Sequence, residues 1–590
     1  MEIYKSRAAQ FNSELEQIKS QYNTISFLRL TTILLLLVSL FYLIKTDENI
    51  FIIAAGVSFL GFILLMRKHN QLARKKALCE ALIKINSDET DYLERKIIPF
   101  EDGIALNQFS HPYAYDLDIF GANSLFHNLN RTTTYTGKHT LANQLWKLWP
   151  NETILQNQEA VKELSIKFEW RQDFMALGKT GKDTALQFKA LQQWSKSVTA
   201  PVSKQSLQLA YLTPILFVGV LAAYTITGDI EYTKVLSFIF VLNMSFLGKF
   251  FSRIKAEIQN ADGIDKTIKQ YGLIIEKIEN ETFTSEKLIA LQQKLQHNNQ
   301  KASIQLKRLS GLFSYMDAIG NFVTTMLFNG TFLFHIHIFN ALLKWKKQNA
   351  QALELWLEII GEFEMLNSLA NFSYNNPGFA FPELNSSKEI SFTNLSHPLL
   401  QKATRVGNDV NFQPQSFMIL TGSNMSGKST FLRSLGINMV LTGMGAPVCA
   451  EKANVHPMPV MVSMRLSDSL TDSESYFYAE IKRLKQIMDG LEQQVAFVLL
   501  DEILRGTNSD DKRSGTIAVL KKMIAKNAIG VIATHDIEVC ATTYEYPDQL
   551  TNKCFEVEII NDDLHFDYKL RDGICRNKSA TFLMEKMEVI

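Results

Sequence analysis

Two pairs of apolar stretches interrupt a chain that is otherwise patterned as amphipathic helices and buried strands. The first pair covers residues 25–44 and 50–66 and contains one charged residue, Arg29. Each stretch is long enough to cross about 30 Å of hydrocarbon as a helix, and the connector between them is short. The pattern therefore predicts a transmembrane helical hairpin over residues 25–68, preceded by an amphipathic helix over residues 1–24.

Basic residues flank this hairpin on both sides, with Lys19 before it and Arg67 and Lys68 after it. Because cytoplasmic loops of membrane proteins are rich in Lys and Arg, both ends of the hairpin are expected in the cytoplasm. A cleaved signal peptide and a hairpin buried inside the protein are the alternatives. The late start of the first run and the second run directly after it disfavour a signal peptide. The expected location is the cell membrane, with the remaining domains cytoplasmic.

A second, weaker apolar pair lies at residues 207–226 and 235–247, within a mostly helical region predicted over residues 69–385. It contains Pro214, and its second run is short, but basic residues flank it as they flank the first pair. The pattern predicts a second apolar hairpin at 207–248 in the same orientation. The alternative is a pair of helices buried between protein neighbours.

A break rich in Asn, Pro and Gly at residues 375–378 ends the helical pattern. Beyond it, short apolar runs alternate with helical segments, which is typical of a parallel α/β sheet. Composition argues against a globally basic protein and against a site built from cysteines. The net charge of +1 gives no global basic field for nucleic acid or anionic lipid. The five cysteines are scattered without C-x-x-C pairs, which argues against a disulfide framework and a zinc site.

Residues 421–430, with the sequence TGSNMSGKST, form the strongest chemical motif in the chain. They follow a strand-like run at 417–420 and open a helical segment, as a phosphate-binding loop requires. Lys428 would reach the β- and γ-phosphates as a binding and catalytic residue, and Ser429 would ligate Mg²⁺. A chance glycine turn is the alternative. The candidate nucleotide-binding residues are Gly422, Ser423, Asn424, Met425, Ser426, Gly427, Lys428, Ser429 and Thr430.

Two further apolar runs deliver polar side chains to the expected edge of the sheet. The run at 495–500 predicts a central parallel strand that ends at Asp501 and Glu502. Asp501 is expected to hold Mg²⁺, and Glu502 to polarise the attacking water. An acidic helix cap is the alternative for this pair. The next strand ends near His535, a candidate γ-phosphate sensor, although a single His after a strand is more often structural.

Several of these motifs, in this order, resemble those of MutS-type DNA mismatch-repair ATPases. The resemblance rests on residues 421–430, 501–507 and 534–536, with His397-Pro398 similar to the start of the family's ATPase domain and 125–132 similar to the start of its helical core and lever. It extends from about residue 100 to the C-terminus. It implies ATP, ADP and Mg²⁺ as ligands and hydrolysis of ATP to ADP and phosphate.

The complete expected fold is therefore α + α/β. It comprises an N-terminal membrane helical hairpin, a long helical core and lever domain, and a C-terminal P-loop α/β ATPase domain of the ABC class at residues 386–590. The resemblance also implies a homodimer in which Ser475 of one subunit contacts the γ-phosphate bound by the other. Ser473 stands where the family usually has glycine, and Asp510 or Asp511 would serve the interface.

The resemblance implies DNA binding as well, yet two family features have no counterpart in the sequence. The space ahead of the helical core holds the first hairpin in place of mismatch-reading and connector domains. The second hairpin lies roughly where the family inserts a DNA clamp. The leading hypothesis is a MutS-family ATPase that drives lever movement in a dimer, with DNA binding in a mismatch-repair-related process. The alternatives are a membrane-associated mechanochemical ATPase or scaffold acting on a protein or lipid partner without DNA, and an inactive nucleotide-gated scaffold.

Overall fold

The structure, a computed structural model, describes most of the chain. The described residues are 1–46, 48–181, 183–258, 264–465, 476–560, 563–575, 584 and 586–588. They form long helices followed by a C-terminal region of strands and helices, which confirms the expected α + α/β class.

The helices that precede the C-terminal domain are α1 (Glu2–Thr46), α2 (Asn49–Leu93), α3 (Leu125–Leu129), α4 (Tyr135–Leu145), α5 (Asn151–Ile166), α6 (Phe168–Lys179), α7 (Ala185–Lys196), α8 (Lys204–Thr227), α9 (Glu231–Ile258), α10 (Ile264–Glu279), α11 (Glu286–Gln293), α12 (Ala302–Asp317), α13 (Phe322–Phe332) and α14 (Phe334–Asn375). Two short strands, β1 (Gln296–His297) and β2 (Gln300–Lys301), pair between α11 and α12.

The C-terminal domain contains strands β3 (Glu383–Leu384), β4 (Ile390–Leu395), β5 (Asn408–Phe412), β6 (Phe417–Gly422), β7 (Lys452–Val455), β8 (Val460–Ser463), β9 (Phe497–Asp501), β10 (Ile529–Ala533), β11 (Leu550–Phe555), β12 (Glu558–Ile560), β13 (Asp563–His565) and β14 (Leu570–Asp572). Its helices are α15 (Lys428–Met444), α16 (Tyr476–Gln493) and α17 (Ser509–Ala525).

The first two helices form an antiparallel hairpin. Aromatic rings pair near its tip, where Tyr42 stacks on Phe51 at 5.4 Å, and further down, where Tyr22 lies 4.3 Å from His69. Helix α1 is continuous, because no Gly or Pro interrupts residues 2–46. The amphipathic N-terminal segment and the first apolar run are therefore parts of one helix. Helix α2 likewise continues 25 residues past the expected hairpin end at residue 68.

Four described helices, α1, α2, α8 and α9, are long and apolar enough to cross a membrane, by length and composition alone. Their most apolar windows are between 6% and 17% buried within the protein. Helices α8 and α9 extend beyond the expected 207–248 hairpin at both ends. Helices α13 and α14 also pass the composition test as a pair, bent by 86° at a break between them.

Helix α14 is the central rod of the helical region. It is 42 residues long and packs against α4, α5, α7 and α12. Its buried Glu364 accepts hydrogen bonds from the backbone N–H groups of Thr133 (2.9 Å) and Thr134 (3.1 Å), just ahead of α4. A buried ion pair between Glu89 of α2 and Arg131 joins the hairpin to the same region, since Asn371 of α14 also donates to Glu89.

The sheet that carries the candidate site has the strand order β14-β11-β6-β10-β9-β8. Its strands are parallel except for β14, which pairs antiparallel with β11. Strand β10 lies between β6 and β9, so the carboxyl ends of all three meet at one edge. The helical region packs closely on this domain: a Cβ atom on Gly436 of α15 would lie 2.6 Å from Leu117.

Candidate functional site

The loop between β6 and α15 is a tight turn in which glycine is required at one position. Gly427 adopts φ +97°, and a Cβ atom there would lie 2.9 Å from the ring of Tyr568. Gly427 is also the N-cap of α15, so no side chain covers the amides of the helix's first turn. Amides at a helix N-terminus and its positive dipole together suit an anion. Asn424 and Met425 are exposed at the mouth of the loop.

Lys428 lies beneath this loop and is buried. Its Nζ donates to the carbonyl oxygens of Gly422 (3.0 Å) and Ser423 (3.1 Å) and lies 3.3 Å from His535 Nε2. Burial lowers the pKa of Lys428, while the charges of Glu502 and Asp501 act in the opposite direction. A cation enclosed by loop carbonyls at a helix N-terminus is suitably placed to meet a phosphate.

Ser429 and Asp501 meet beside Lys428. The Ser429 hydroxyl donates to Asp501 Oδ2 at 2.5 Å. The second carboxylate oxygen, Oδ1, is buried and has no hydrogen-bond partner among the described residues. A hydroxyl and a buried carboxylate with a vacant oxygen are hard oxygen donors of the kind that Mg²⁺ prefers. These residues therefore fit the expected ion, and no cluster of three or more His, Cys, Asp or Glu in the described ranges offers a richer metal site.

Glu502 follows directly after β9 in a strained conformation. Its φ is +49°, in the left-handed region that is costly for a residue with a side chain. Its backbone N–H donates to Ala533 O at 2.9 Å, and its Oε1 lies 2.7 Å from His535 Nε2. The hydrogen bond from His535 is the main cause that lowers the pKa of Glu502 to about 2. The structure thus brings Lys428, Glu502 and His535 together, as the sequence predicts.

A support beneath Glu502 had no signal in the sequence. Glu480 of α16 is buried and accepts hydrogen bonds from the backbone N–H groups of Leu504 (2.8 Å) and Arg505 (3.1 Å). Leu504 also has a positive φ, +62°. Burial raises the pKa of the Glu480 carboxyl. Arg505 in turn donates to the carbonyl oxygens of Asp501 and Glu502, which ties α16 to the end of β9.

The loop forms one wall of a cavity of about 510 Å³. Leu395, His397, Leu400 and Tyr568 also line the cavity, so apolar and aromatic side chains complement the polar groups of the loop. Burial, with a smaller effect of Arg433, lowers the pKa of His397 to about 4, which leaves its ring neutral near pH 7. The sequence marked His397 only as a domain boundary.

The Tyr568 segment is held in place by Asn408 of β5. The Asn408 side chain donates to Tyr568 O (3.0 Å) and accepts from Leu570 N (2.8 Å). No motif connects Asn408 and Tyr568, which are 160 positions apart. Tyr568 itself lies in the short connection between β13 and β14.

The candidate interface residues are only partly described. Ser473 and Ser475 lie outside the described residues. Asp510 and Asp511 lie in the first turn of α17, where Asn508 accepts a hydrogen bond from Asp511 N at 2.8 Å. Asp510 pairs with Arg513 at 3.0 Å. Their expected contact with a second subunit stays a prediction.

Comparison with known proteins adds the family. Residues 418–588 match the family model described as MutS domain V. The DNA mismatch repair protein MutS of Thermotoga neapolitana is 30% identical over 227 residues, covering 38% of this chain and 28% of that protein. The protein of the same name from Petrotoga mobilis is 30% identical over 250 residues, covering 41% and 30%. Human MutS protein homolog 4 is 27% identical over 194 residues, covering 31% and 20%.

The matched segments thus span less than a third of the length of each of these relatives. The family model covers strands β9 and β10, nearly all of β6, and helix α15, which carry the loop, Asp501 and Glu502. By these matches the C-terminal α/β domain of this chain is similar to MutS domain V, the ATPase domain of the MutS family, and the similarity supports membership of that family.

Proposed function

We propose that this protein is a membrane-anchored ATPase of the MutS family, which hydrolyses Mg²⁺-bound ATP to ADP and phosphate and uses the cycle to move its helices in a homodimer. One observation carries the proposal. Lys428 and Ser429 come from helix α15, and Asp501, Glu502 and His535 come from the carboxyl ends of the parallel strands β9 and β10, yet all five side chains converge at one edge of the sheet.

Each of these side chains has a role that follows from its position. Lys428 and the first-turn amides of α15 bind the β- and γ-phosphates. Ser429 and Asp501 hold Mg²⁺, which neutralises phosphate charge when it is bound. Glu502, ionised because its pKa is about 2, accepts a hydrogen bond from the attacking water and orients it. Such a low pKa makes Glu502 a weak proton acceptor, so its main contribution is positioning of the water.

His535 lies between the cation that binds phosphate and the carboxylate that orients water. Its Nε2 is 3.3 Å from Lys428 Nζ and 2.7 Å from Glu502 Oε1. A phosphate that engages Lys428 therefore changes the surroundings of His535 directly. This position supports a role as the γ-phosphate sensor that responds before Glu502 acts.

The dimer and the location extend the proposal beyond one site. By resemblance to the family, Ser475 of a second copy completes the nucleotide site, so that ATP closes the dimer as well as fuelling it. The exposed apolar surfaces of α1 and α2 and of α8 and α9 support anchoring in the cell membrane, with the ATPase and helical domains cytoplasmic. Fractionation tests the anchoring: full recovery of the expressed chain in the soluble fraction, without detergent, would contradict it.

The ATPase has two candidate partners, and each is supported by a different observation. The relatives are named as DNA mismatch repair proteins, which supports DNA binding by this chain. The apolar helices support instead a mechanochemical ATPase that acts on a lipid or protein partner. A duplex-stimulated ATPase assay separates them. Stimulation that falls steeply with added salt supports DNA, because phosphate contacts release counterions, whereas a rate indifferent to duplex supports the other partner.

A further inference from the structure

Helix α13 exposes many apolar side chains and belongs to neither of the two apolar hairpins, α1–α2 and α8–α9. The chain has no Asp, Glu, Lys or Arg between Asp317 and Lys344. Phe322 and Val323 are more than 70% exposed, and Leu327 is 57% exposed. Met326, Phe328 and Phe332 are exposed as well, so apolar groups cover most of the circumference of an 11-residue helix. A helix that is apolar all round belongs in a protein core or in a bilayer.

Helix α13 is attached closely to α9. Gly330 approaches the ring of Phe240 so nearly that a Cβ atom there would lie 2.1 Å from it. Asn243 of α9, fully buried, donates to Gly330 O at 2.8 Å. Both contacts are made by residues of α9 that precede Lys249. Because a helix rises about 1.5 Å per residue, Asn243 lies about 9 Å and Phe240 about 14 Å from Lys249 along the helix axis. If Lys249 marks the cytoplasmic end of α9, α13 is level with the cytoplasmic half of the hydrocarbon.

The sharp bend after α13 satisfies its own backbone. Leu333 takes a left-handed conformation, φ +52°, and the axis turns by 86° into α14. Asn329, fully buried, accepts from His335 N at 2.9 Å, and its Nδ2 lies 2.7 Å from His335 Nδ1. Non-helical backbone is tolerated at membrane depth only where such partners are supplied within the protein.

The start of α14 lies at the same level of the apolar hairpin. His337 Nε2 is 3.0 Å from Ala210 O of α8, and the rings of His337 and Tyr211 are 4.7 Å apart. Ala210 lies about 9 Å along α8 from its basic start at Lys204, by the same rise per residue. The bend therefore joins α13 to the central rod of the helical region, close to the cytoplasmic ends of α8 and α9.

The first hairpin reaches the same part of the molecule. Helix α2 packs against α6, and α6 packs against α10. Helix α10 follows α9 in the chain and packs against α12, which leads into α13. The helices that follow the two apolar hairpins thus pack in one connected set, and α12 of that set leads into α13.

From these contacts we propose that α13 is a lipid-embedded element, seated in the cytoplasmic leaflet beside α8 and α9 and rigidly joined to α14. An 11-residue helix is about 16 Å long, so it reaches no further than half of the hydrocarbon core. The occupant of its exposed surface is lipid. A second copy would cover one face, whereas the apolar side chains surround the helix and continue onto Leu212, Ile215 and Val218 of α8.

The inference rests on the proposed membrane anchoring, and site-specific fluorescence tests the two separately. The full chain is reconstituted in phospholipid nanodiscs after single substitutions to cysteine, which are labelled with an environment-sensitive dye. Leu327→Cys reports on α13, Val218→Cys on α8, and Val198→Cys, whose side chain is 99% exposed in the segment before α8, reports on water. The unsubstituted chain is the blank, because all five native cysteines are buried. Spin-labelled lipid is the quencher.

We expect blue-shifted emission at Leu327→Cys and quenching by lipid as strong as at Val218→Cys, with neither effect at Val198→Cys. If Leu327→Cys behaves like Val198→Cys while Val218→Cys is quenched, α13 lies outside the bilayer, and the inference fails while the anchoring stands. Blue-shifted emission at Leu327→Cys without lipid quenching would mean that protein covers α13, which also overturns the inference. If Val218→Cys is not quenched either, the anchoring by α8 and α9 itself is wrong.

Discussion

Removal of the Glu480 carboxylate is expected to slow ATP hydrolysis while leaving ATP binding nearly unchanged. The carboxylate accepts the backbone N–H groups of Leu504 and Arg505 and so holds the turn that begins at Glu502. Two residues of that turn have positive φ. In Glu480→Ala the turn loses both acceptors and can relax, which moves the carboxylate that orients water. Among the described residues Glu480 bonds to the backbone of Leu504 and Arg505 and not to the phosphate-binding loop, so the loop is expected to keep its shape.

The size of the effect follows from the interactions lost. Hydrogen bonds to a charged group contribute about 1.5 to 3 kcal/mol each, and the raised pKa of Glu480 favours the lower end. A residue in the left-handed region stores a further 1 to 3 kcal/mol, roughly, which relaxation releases. The two hydrogen bonds alone, at the lower end of their range, amount to about 3 kcal/mol, which corresponds to a fall in kcat of at least about 100-fold. Glu480→Gln, which keeps one acceptor oxygen, is expected to lose about tenfold.

Single-turnover hydrolysis and the Kd of a fluorescent ATP analogue measure the two effects separately. The matched control is Asp489→Asn, which removes an exposed carboxylate from the same helix, α16. If Glu480→Ala binds ATP and hydrolyses it at the rate of the Asp489→Asn control, the turn does not depend on Glu480 and the reasoning is wrong. A large loss of ATP affinity would equally contradict it, because the effect would then not be confined to the turn.

Three further predictions concern the site and the base of the hairpin. His535→Asn removes the hydrogen bond that holds the pKa of Glu502 to about 2. That pKa then rises toward the ordinary carboxyl range, and the acid limb of the kcat profile should move to higher pH; an unmoved limb contradicts the coupling. Asp501→Asn should make ATP affinity insensitive to Mg²⁺, measured by titration with and without EDTA, and a wild-type response to Mg²⁺ would rule Asp501 out as a ligand. Arg131→Met leaves Glu89 charged and buried and should destabilise the protein by about 3 to 5 kcal/mol, seen as a lower Tm in detergent; an unchanged Tm would contradict the importance of the pair.

The site was largely predictable because each of its motifs consists of residues that lie within a few positions of one another. The loop at 421–430 and the apolar runs before Asp501 and His535 each identify a strand end within a few residues. Parallel strands then bring their carboxyl ends to one edge without further information. The supports of the site were not predictable in this way. Glu480 is 24 positions from Leu504, and only the folded chain shows that its carboxylate meets those amides.

The helical region illustrates the limits of composition. The change from polar to apolar residues near position 24 suggested two elements, but the backbone has no reason to stop there, and α1 continues through it. The opposite holds at Leu333, where the composition is uniformly apolar and the helix turns sharply. That bend depends on Asn329 and His335, whose hydrogen bonds replace those that the helix gives up. Neither feature has a signature in residue type alone.

Phosphate release by the full chain in nanodiscs tests whether the five convergent side chains hydrolyse ATP. The assay compares the natural sequence with Glu502→Gln, at saturating Mg²⁺ and ATP. We expect steady phosphate release by the natural chain, whereas Glu502→Gln should still bind ATP but release phosphate only at the background rate. Equal rates from the two proteins, or no release from the natural chain despite bound ATP, would contradict it.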